Sequence, residues 1–265
     1  MKRLIYQVSL GAERNSKLYK HCIDSVASYA KEFGIDHFIQ RKPILNLIPD
    51  PFQTSRNPKS FVPHGGYLPI FEKENAFDLL DNYDQIAIID ADIYIRKISS
   101  NIFDDVDTNK AIAVVSEREM DIQEWYIKKI KNYSAMQYMA LDNDGLDFKL
   151  NSLGYEFFNM GMMVLNSKKF KPYLKGQNSE KFLRRKEFVH FVNGEGNWKW
   201  STDQTLLNFF IKRYNIPVQH LDCKWNGLYT AHNNIENCNF IHFFLKDKLP
   251  GKGENIDELM KLINE

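Results

Sequence analysis

A short apolar run that ends in two carboxylates constrains this chain more than any other feature. Residues 86–89 (Ile-Ala-Ile-Ile) have the composition of a strand buried on both faces of a sheet. Asp90 and Asp92 follow directly, one residue apart. Ligands of open α/β sheets collect beyond the carboxyl ends of the strands, so this acidic pair indicates a cation site. Carboxylate oxygens suit Mg²⁺ or Mn²⁺, which typically share their coordination with substrate phosphates.

The Asp90-Ala91-Asp92 sequence also has a purely structural interpretation. An Asp-x-Asp pair after a strand often opens a turn or caps a helix. Taken alone the pair favours that role, so the case for a metal site depends on the rest of the chain.

The order of predicted elements indicates an α/β fold. Residues 4–9 predict a first strand, residues 16–33 a helix and residues 36–40 a second strand. This order implies a parallel pair of strands joined by a right-handed crossover. We expect one domain over residues 1–265 with a mostly parallel central sheet. Further strands are predicted at 86–89, 111–115, 157–166, 216–221 and 239–244, and helices at 71–80, 124–139, 167–174, 179–189, 202–214 and 254–264.

Two long segments interrupt this pattern. Residues 43–69 contain six prolines and a Gly-Gly pair, which forbid long regular elements. Residues 120–150 are polar, aromatic and irregular around one predicted helix. Such long connections are usually functional, and we interpret both as loop insertions that contact an acceptor. A solvated helical flap is the alternative for the second.

Composition narrows the class of protein. The 265 residues include 35 Lys and Arg against 34 Asp and Glu, which is not the basic footprint of a nucleic-acid binder. Three cysteines without metal-type spacing indicate reduced thiols. The first apolar run is too short for a signal peptide, and no segment has the length of a membrane span. We therefore expect a soluble, cytoplasmic protein, with basic groups at 168–171 and 184–186 suggesting weak membrane association as a secondary hypothesis.

Four motifs occur in one order along the chain. They are Asp90-Ala91-Asp92, residues 158–161 (Phe-Asn-Met-Gly), residues 203–208 (Asp-Gln-Thr-Leu-Leu-Asn) and His242-Phe243. This order resembles the nucleotide-sugar glycosyltransferases of the GT-A fold, most of all glycosyltransferase family 8. The resemblance runs from the first strand to Pro250. It implies a Rossmann-like, mostly parallel sheet flanked by helices, and a hexosyltransferase that uses Mn²⁺, with Mg²⁺ as the other candidate ion.

The resemblance assigns roles to the motif residues. Asp90 and Asp92 match the pair that binds the metal and, through it, the donor diphosphate, and His242 matches the third metal ligand. Imidazole beside two carboxylates suits Mn²⁺ better than Mg²⁺. A core histidine in an aromatic strand is the alternative. Asp203 and Gln204 match positions that face the donor sugar and its anomeric carbon, which makes them the catalytic candidates; a structural Asp203 at a helix N-terminus is the alternative.

The residues after His242-Phe243 resemble a family motif that contacts the donor diphosphate. Lys248 matches the lysine of the family's His-Phe-x-Gly-x-x-Lys-Pro-Trp ending, where it neutralises the leaving group. Leu245 stands where that ending has glycine, and Leu249-Pro250 stand where it has Pro-Trp. We therefore expect a differently shaped phosphate loop, in which Lys246 shares or takes over the role of Lys248.

Other donor contacts are predicted outside that loop. Lys73 stands where similar enzymes carry an arginine, and it keeps the charge without the bidentate fork; an exposed helix charge is the alternative. Asn159 and Gly161 resemble the family's Asn-Ala-Gly turn, where the amide contacts sugar hydroxyls and glycine allows close approach. An ordinary turn is the alternative. The remaining candidates are Ala91 and, at the end of the first strand where base and ribose bind, Gln7 and Ser9.

These assignments predict transfer of a hexose from a nucleotide-diphosphate sugar, UDP-glucose or UDP-galactose, to a saccharide, lipid-linked or protein hydroxyl. Retention of configuration follows from the resemblance alone. A sugar nucleotidyltransferase is one alternative, but it needs a glycine-rich basic loop after the first strand, and residues 11–14 (Gly-Ala-Glu-Arg) match poorly. A carbohydrate-binding module would not need the acidic pair, the histidine and the lysine together. A catalytically inactive relative that still binds a sugar nucleotide is the third alternative.

Overall fold

A computed structural model describes residues 1–11, 15–142 and 145–265; residues 12–14 of the loop considered above lie outside it. Most of the helices and strands have the positions that the hydrophobic pattern predicts. Their bounds are β1 (Arg3–Val8), α1 (Lys17–Glu32), β2 (Asp36–Gln40), β3 (Gln85–Ile89), β4 (Ile93–Ile95), β5 (Ile112–Ser116), α2 (Glu124–Asp142), β6 (Leu150–Asn151), β7 (Gly154–Tyr155), β8 (Phe158–Asn166), α3 (Ser167–Phe170), α4 (Ser179–Leu183), α5 (Val189–Asn193), α6 (Asp203–Arg213), β9 (Val218–His220), β10 (Gly227–Leu228), β11 (Phe240–His242) and α7 (Ile256–Leu262).

A six-stranded sheet with the order β2-β1-β3-β8-β5-β9 forms the centre of the fold. β1 pairs in parallel with β2 and β3, and β5 pairs in parallel with β9. β8 lies antiparallel between β3 and β5, so it alone among these six strands runs in the opposite direction. The expected mostly parallel α/β sheet is confirmed. Because β8 is reversed, its first residues lie at the same edge of the sheet as the carboxyl ends of the other strands.

A second sheet, β10-β11-β4, brings the end of the chain to this edge. β4 and β11 are antiparallel with His242 opposite Ile93, and the Phe243 amide donates to the Asp92 carbonyl at 2.9 Å. The sequence pattern did not predict β4, since three residues are too few to show an alternation. This short strand nevertheless sets His242 beside the acidic pair.

Two predicted helices take other forms. Residues 69–79 form a 3₁₀ segment, and the helix predicted at 179–189 is divided into α4, a 3₁₀ turn and α5. The Arg185 side chain lies over the Phe182 ring at 4.8 Å and donates to the Leu174 carbonyl at 2.9 Å, contacts that form where the helix is interrupted. In the part of the chain that the structure describes, no helix has both the length and the apolarity to cross a bilayer.

The proline-rich segment at 43–69 forms two short 3₁₀ turns, and the buried Glu72 carboxylate anchors its start. This carboxylate accepts hydrogen bonds from the Gln40 side chain at 2.7 Å and from the backbone amides of residues 44, 45 and 46 at 2.8, 3.2 and 2.8 Å. Hydrogen bonds to a charged acceptor are stronger than neutral ones, so Glu72 fixes this loop against the 3₁₀ segment.

Glu74 lies two residues further along the same 3₁₀ segment, but its carboxylate lacks the hydrogen bonds that Glu72 accepts. Both glutamates are 0% exposed, but neither oxygen of Glu74 accepts a hydrogen bond from another described residue. Burial and then the nearby charge of Asp203 raise the pKa of Glu74 well above its ordinary value. A buried unpaired carboxylate is costly, so Glu74 stays protonated in the folded protein.

This contrast predicts opposite effects of two matched substitutions. Glu74→Gln should leave the free energy of unfolding at neutral pH unchanged or higher. Wild-type stability should fall relative to Glu74→Gln as pH rises from about 4 to 7, because the unfolded chain releases this proton near its ordinary pKa of 4.5 and the folded chain retains it. Glu72→Gln, the control, should lose about 2 kcal/mol.

Urea denaturation of the three proteins at several pH values measures these differences. Equal destabilisation by Glu74→Gln and Glu72→Gln at neutral pH would contradict the protonated state of Glu74.

Candidate active site

The turn after β3 is fixed by backbone contacts from two other strands. The Asp90 amide donates to the Gly161 carbonyl on β8 at 2.8 Å, and the Gln7 side chain donates to the Asp90 carbonyl at 3.2 Å. The Ile93 amide donates to the same carbonyl at 3.1 Å. The two aspartates therefore project from a rigid turn at the edge of the sheet.

Asp90, Asp92 and His242 converge at this turn. One candidate ligand atom from each lies within 4.8 Å of the others. The His242 Nε2 atom is 3.2 Å from Asp92 Oδ1 and 3.8 Å from Asp90 Oδ2. The predicted metal ligands are thus brought together by residues of β3, β4 and β11. Two carboxylates and one imidazole form a donor set that suits Mn²⁺, so the residues present fit this ion.

The charges of the three residues act on one another. Burial lowers the pKa of His242, but the neighbouring Asp92 and Asp90 outweigh burial and raise that pKa above its ordinary value. Burial opposes ionisation of Asp92 as well, yet His242 holds the pKa of Asp92 below its ordinary value. A metal ion would take the place of the His242 proton, so its binding should weaken as pH falls.

The His242 imidazole occupies space next to Gly161 that a side chain at position 161 would fill. A Cβ atom at this position would lie 2.5 Å from His242 Nδ1 and 2.9 Å from Asn159 Oδ1. The Asn159 Oδ1 atom accepts hydrogen bonds from the Gly161 amide at 2.8 Å and from the Asn226 side chain at 3.0 Å. Asn159 therefore orders the turn at the start of β8, and Gly161 leaves room for the imidazole.

Lys73 links the acidic pair to the catalytic candidate Asp203. Its Nζ atom lies 2.8 Å from Asp90 Oδ1 and 2.9 Å from Asp203 Oδ2, and it donates to the Met160 carbonyl at 3.2 Å. Burial lowers the pKa of Lys73, but the two carboxylates outweigh burial and raise it. The lysine is thus a largely buried cation between three partners, with its side chain 14% exposed, and the alternative of an exposed helix charge is wrong.

Asp203 begins α6, where the Thr202 side chain caps the helix. Thr202 Oγ1 accepts from the Gln204 amide at 3.2 Å, and Asp203 Oδ1 accepts from the same amide at 2.9 Å. The second carboxylate oxygen of Asp203 faces Lys73. The helix N-terminus therefore orients Asp203 toward the aspartates of β3, and Gln204 follows it in the first helical turn.

A cavity of about 500 Å³ lies beside these groups. Its polar wall is formed by Lys73, Asp203 and the residues of the 90–92 turn, including the predicted contact Ala91. This volume suits a small-molecule ligand. Other lining residues are Val8 at the end of β1, Leu10 after it, Tyr19 on α1, and Ser60 and His64 of the proline-rich segment.

The two β1 candidates are buried behind this wall. Gln7 is 0% exposed, and its Oε1 atom lies 2.8 Å from His37 Nε2. Ser9 is 1% exposed, with its amide donating to the Gln40 carbonyl at 3.0 Å and its hydroxyl buried without a described partner. Neither side chain is among the residues that line the cavity, and both are buried in the protein interior.

The loop after β11 places two lysines near the acidic turn. Leu245 has φ 57° and ψ 59°, a left-handed conformation that glycine adopts without strain. The Lys246 and Lys248 ammonium groups lie 3.9 Å and 3.3 Å from the ring centroids of Tyr19 and Trp125. The charge of Lys246 is among those that lower the pKa of Asp92. The loop thus keeps a glycine-type turn although leucine occupies it. The Lys246 charge acts on the acidic turn, whereas Lys248 contacts Trp125 on α2.

Glu117 is a site residue that the sequence analysis missed. It directly follows β5 and is 3% exposed, and its carboxylate accepts from the Tyr126 hydroxyl at 2.5 Å and from Asn159 Nδ2 at 3.5 Å. Burial raises the pKa of Glu117. A carboxylate at the end of a buried strand is the signal that identified Asp90, and it applied to Glu117 as well.

Comparisons with known proteins identify the family and the fold. The chain matches the family model described as Glycosyl transferase family 8 over residues 18–248. Among solved structures it resembles the galactosyltransferase LgtC in complex with donor and acceptor sugar analogues (13% identity, 100% of this chain, 95% of that chain, TM-score 0.57). It also resembles a glycosyltransferase involved in glycosylation of the major capsid of PBCV-1 (11% identity, 97% of this chain, 100% of that chain, TM-score 0.56). A third similar structure is mouse xyloside xylosyltransferase 1 (14% identity, 94% of this chain, 100% of that chain, TM-score 0.54).

A search of curated proteins finds no significant match. The identities to the solved structures are low, so those structures establish the GT-A fold and no more. The family model spans most of the chain, from α1 to the lysines after β11. The chain therefore belongs to glycosyl transferase family 8 and is a glycosyltransferase that uses a nucleotide sugar.

Proposed function

We propose that this enzyme transfers a hexose from UDP-glucose or UDP-galactose to a hydroxyl acceptor, with Mn²⁺ bound by Asp90, Asp92 and His242. The observation that carries this proposal is the convergence of these three side chains beside a cavity that Asp203 and Lys73 also line. The acceptor is a saccharide, a lipid-linked sugar or a protein. The three free cysteines are in keeping with a reducing compartment, and we infer a cytoplasmic location.

The side chains support this reaction through charge. Bound metal would supply Lewis-acid stabilisation of the diphosphate. Lys246, whose charge acts on Asp92, and Lys248 in the same loop would neutralise negative charge that develops on the leaving diphosphate. Asp203, fixed by Lys73, can stabilise positive charge on the sugar ring. Gln204, the next residue, would offer its side-chain carbonyl oxygen to the anomeric carbon.

Retention is inferred from the family rather than from the geometry. In the reaction that we propose, the acceptor hydroxyl attacks on the face from which the diphosphate departs. Donor phosphate oxygen accepts the hydroxyl proton. Asn159 and Gly161 would contact the sugar hydroxyls from β8, and Ala91 would contact the donor between the two metal ligands. Gln7 and Ser9 would support the base and ribose from β1.

A donor panel tests the proposed reaction. UDP- and GDP-sugars are incubated with the protein and MnCl₂, and release of nucleoside diphosphate is measured. We expect slow release from UDP-glucose or UDP-galactose without acceptor, and chelation of the metal should stop it. Binding without any turnover would favour the inactive relative, whereas formation of a sugar nucleotide from sugar phosphate and UTP would favour the nucleotidyltransferase. NMR of the transferred sugar reports its configuration.

The metal site has its own test. Asp92→Ala removes one of three ligands and should abolish Mn²⁺ binding in calorimetric titrations, while the metal-free melting temperature stays close to that of wild type. Ser100→Ala, at an exposed position outside the site, is the control. Unchanged Mn²⁺ affinity in Asp92→Ala would refute the assigned ligands.

Gly161→Ala tests how His242 is positioned. The added Cβ atom would lie 2.5 Å from Nδ1 of His242, so the imidazole must move. We expect Mn²⁺ affinity to fall by about tenfold to a hundredfold, the usual cost of disturbing the groups around a ligand. The double variant Gly161→Ala/His242→Ala should bind no more weakly than His242→Ala alone. Additive losses would show that Gly161 acts through another residue.

A further inference from the structure

Exposed hydrophobic side chains are concentrated in one stretch of the chain. Twelve large hydrophobic residues are exposed among those that the structure describes, and five of them lie between residues 38 and 62. Phe52 is 96% exposed, more than any other of the twelve. Isolated exposed hydrophobic residues are normal, but such a concentration marks an interaction surface. The five are Phe38, Ile44, Ile48, Phe52 and Val62.

This exposure results from a fixed backbone. Leu45 and Leu47 belong to the core and are 7% and 1% exposed, and they alternate with Ile44, Asn46 and Ile48. The Glu72 carboxylate holds the backbone amides of residues 44–46, and the Leu68 amide donates to the Leu47 carbonyl at 2.8 Å. Ile44 and Ile48 therefore face solvent because their neighbours are anchored in the core.

A second segment adds to the same surface. The Asp50 amide donates to Asn193 Oδ1 at 3.0 Å, and the Thr54 hydroxyl donates to the Asn193 carbonyl at 2.6 Å. The buried Arg56 guanidinium donates to the Ser201 carbonyl at 2.9 Å. These bonds attach residues 50–56 to residues 193–201. The exposed Trp200 therefore lies on the segment that is bonded to the one carrying Phe52.

The charge exposed on these two segments is basic. Their acidic groups are engaged internally, since Asp50 Oδ1 accepts from the Phe52 amide at 2.9 Å and Glu195 lies 2.5 Å from His190. A surface of apolar side chains with cations around it complements an anionic lipid bilayer. The exposed basic residues are Arg41, Lys42, Lys59 and Lys199.

We propose that the docking face, defined as Ile44, Ile48, Phe52, Val62 and Trp200, binds the surface of an anionic membrane. The apolar side chains would enter the boundary between headgroups and acyl chains. The surrounding lysine and arginine side chains would contact lipid phosphates. The basic groups at 168–171 and 184–186 are less suited to this role, because Lys171 pairs with Asp81 and Arg184 pairs with Glu180.

Docking of this face on a membrane would also define the class of acceptor. This part of the inference rests on the proposed function. Ser60 and His64 belong to the proline-rich segment and line the cavity beside Lys73 and Asp90. The segment that contacts the bilayer thus also forms a wall of the active site. The acceptor that this arrangement favours is a lipid-linked sugar or lipid headgroup with its hydroxyl at the membrane surface.

Vesicle co-sedimentation tests the docking face without donor or metal. Wild-type protein should bind vesicles of phosphatidylcholine with about a third phosphatidylglycerol more strongly than vesicles of phosphatidylcholine alone, and added salt should weaken this binding. Phe52→Ser should lower partitioning about tenfold. Lys59→Gln should lower it about fivefold on anionic vesicles only. The control Ile98→Ser, at a residue 85% exposed outside the docking face, should bind as wild type does.

Three results would overturn the proposal. They are absence of wild-type binding to either vesicle, equal losses in Phe52→Ser and Ile98→Ser, and a wild-type dimer that Phe52→Ser dissociates. The last result would make the docking face a contact between two copies of the chain. Nucleoside diphosphate release without vesicles should be the same in Phe52→Ser and wild type, so failure of the docking proposal is distinguishable from failure of the proposed reaction.

Discussion

The largely buried ammonium group of Lys73 makes the contacts on which the arrangement of the active site depends. It lies within 3 Å of carboxylate oxygens of Asp90 and Asp203, and it donates to the Met160 carbonyl. These partners belong to the end of β3, the start of α6 and the start of β8. A buried charge is tolerated only when it is paired, so the three elements must meet at this lysine. Two carboxylates that would otherwise repel each other are thereby kept in one site.

The 3₁₀ form of residues 69–79 explains how one segment serves three parts of the protein. With three residues per turn, consecutive side chains point about 120° apart. Glu72 thus faces the amides of the proline-rich segment, Lys73 faces the active site, and Glu74 faces the interior. An α-helix would have turned these side chains by a different angle. The helix predicted at 71–80 has the right position in the sequence, but the segment is a 3₁₀ helix. The 3₁₀ geometry is what directs these three side chains to their different partners.

The site also shows how a family arrangement tolerates departures in sequence. Leu245 takes a left-handed conformation where the family has glycine, so the turn keeps its form at some cost in backbone strain. Lysine replaces the family's arginine at position 73, and its single ammonium group is nonetheless shared by three acceptors. In the loop after β11, the Lys246 ammonium group lies over the ring of Tyr19 on α1, and the Lys248 ammonium group lies over the ring of Trp125 on α2.

Most of the local structure and the three candidate metal ligands could be predicted from the amino-acid sequence. Residues 86–89 followed by Asp90 and Asp92 indicated a strand that ends in a ligand site, because hydrophobic run and charge are local properties. His242 was predicted as a metal ligand from the order of the four motifs, not from its spacing to the aspartates. Three features became known only from the folded chain: Lys73 is shared between Asp90 and Asp203, β8 is reversed, and Glu117 contacts Asn159. These features depend on contacts between residues distant along the chain, and no local periodicity records which distant groups will pack together.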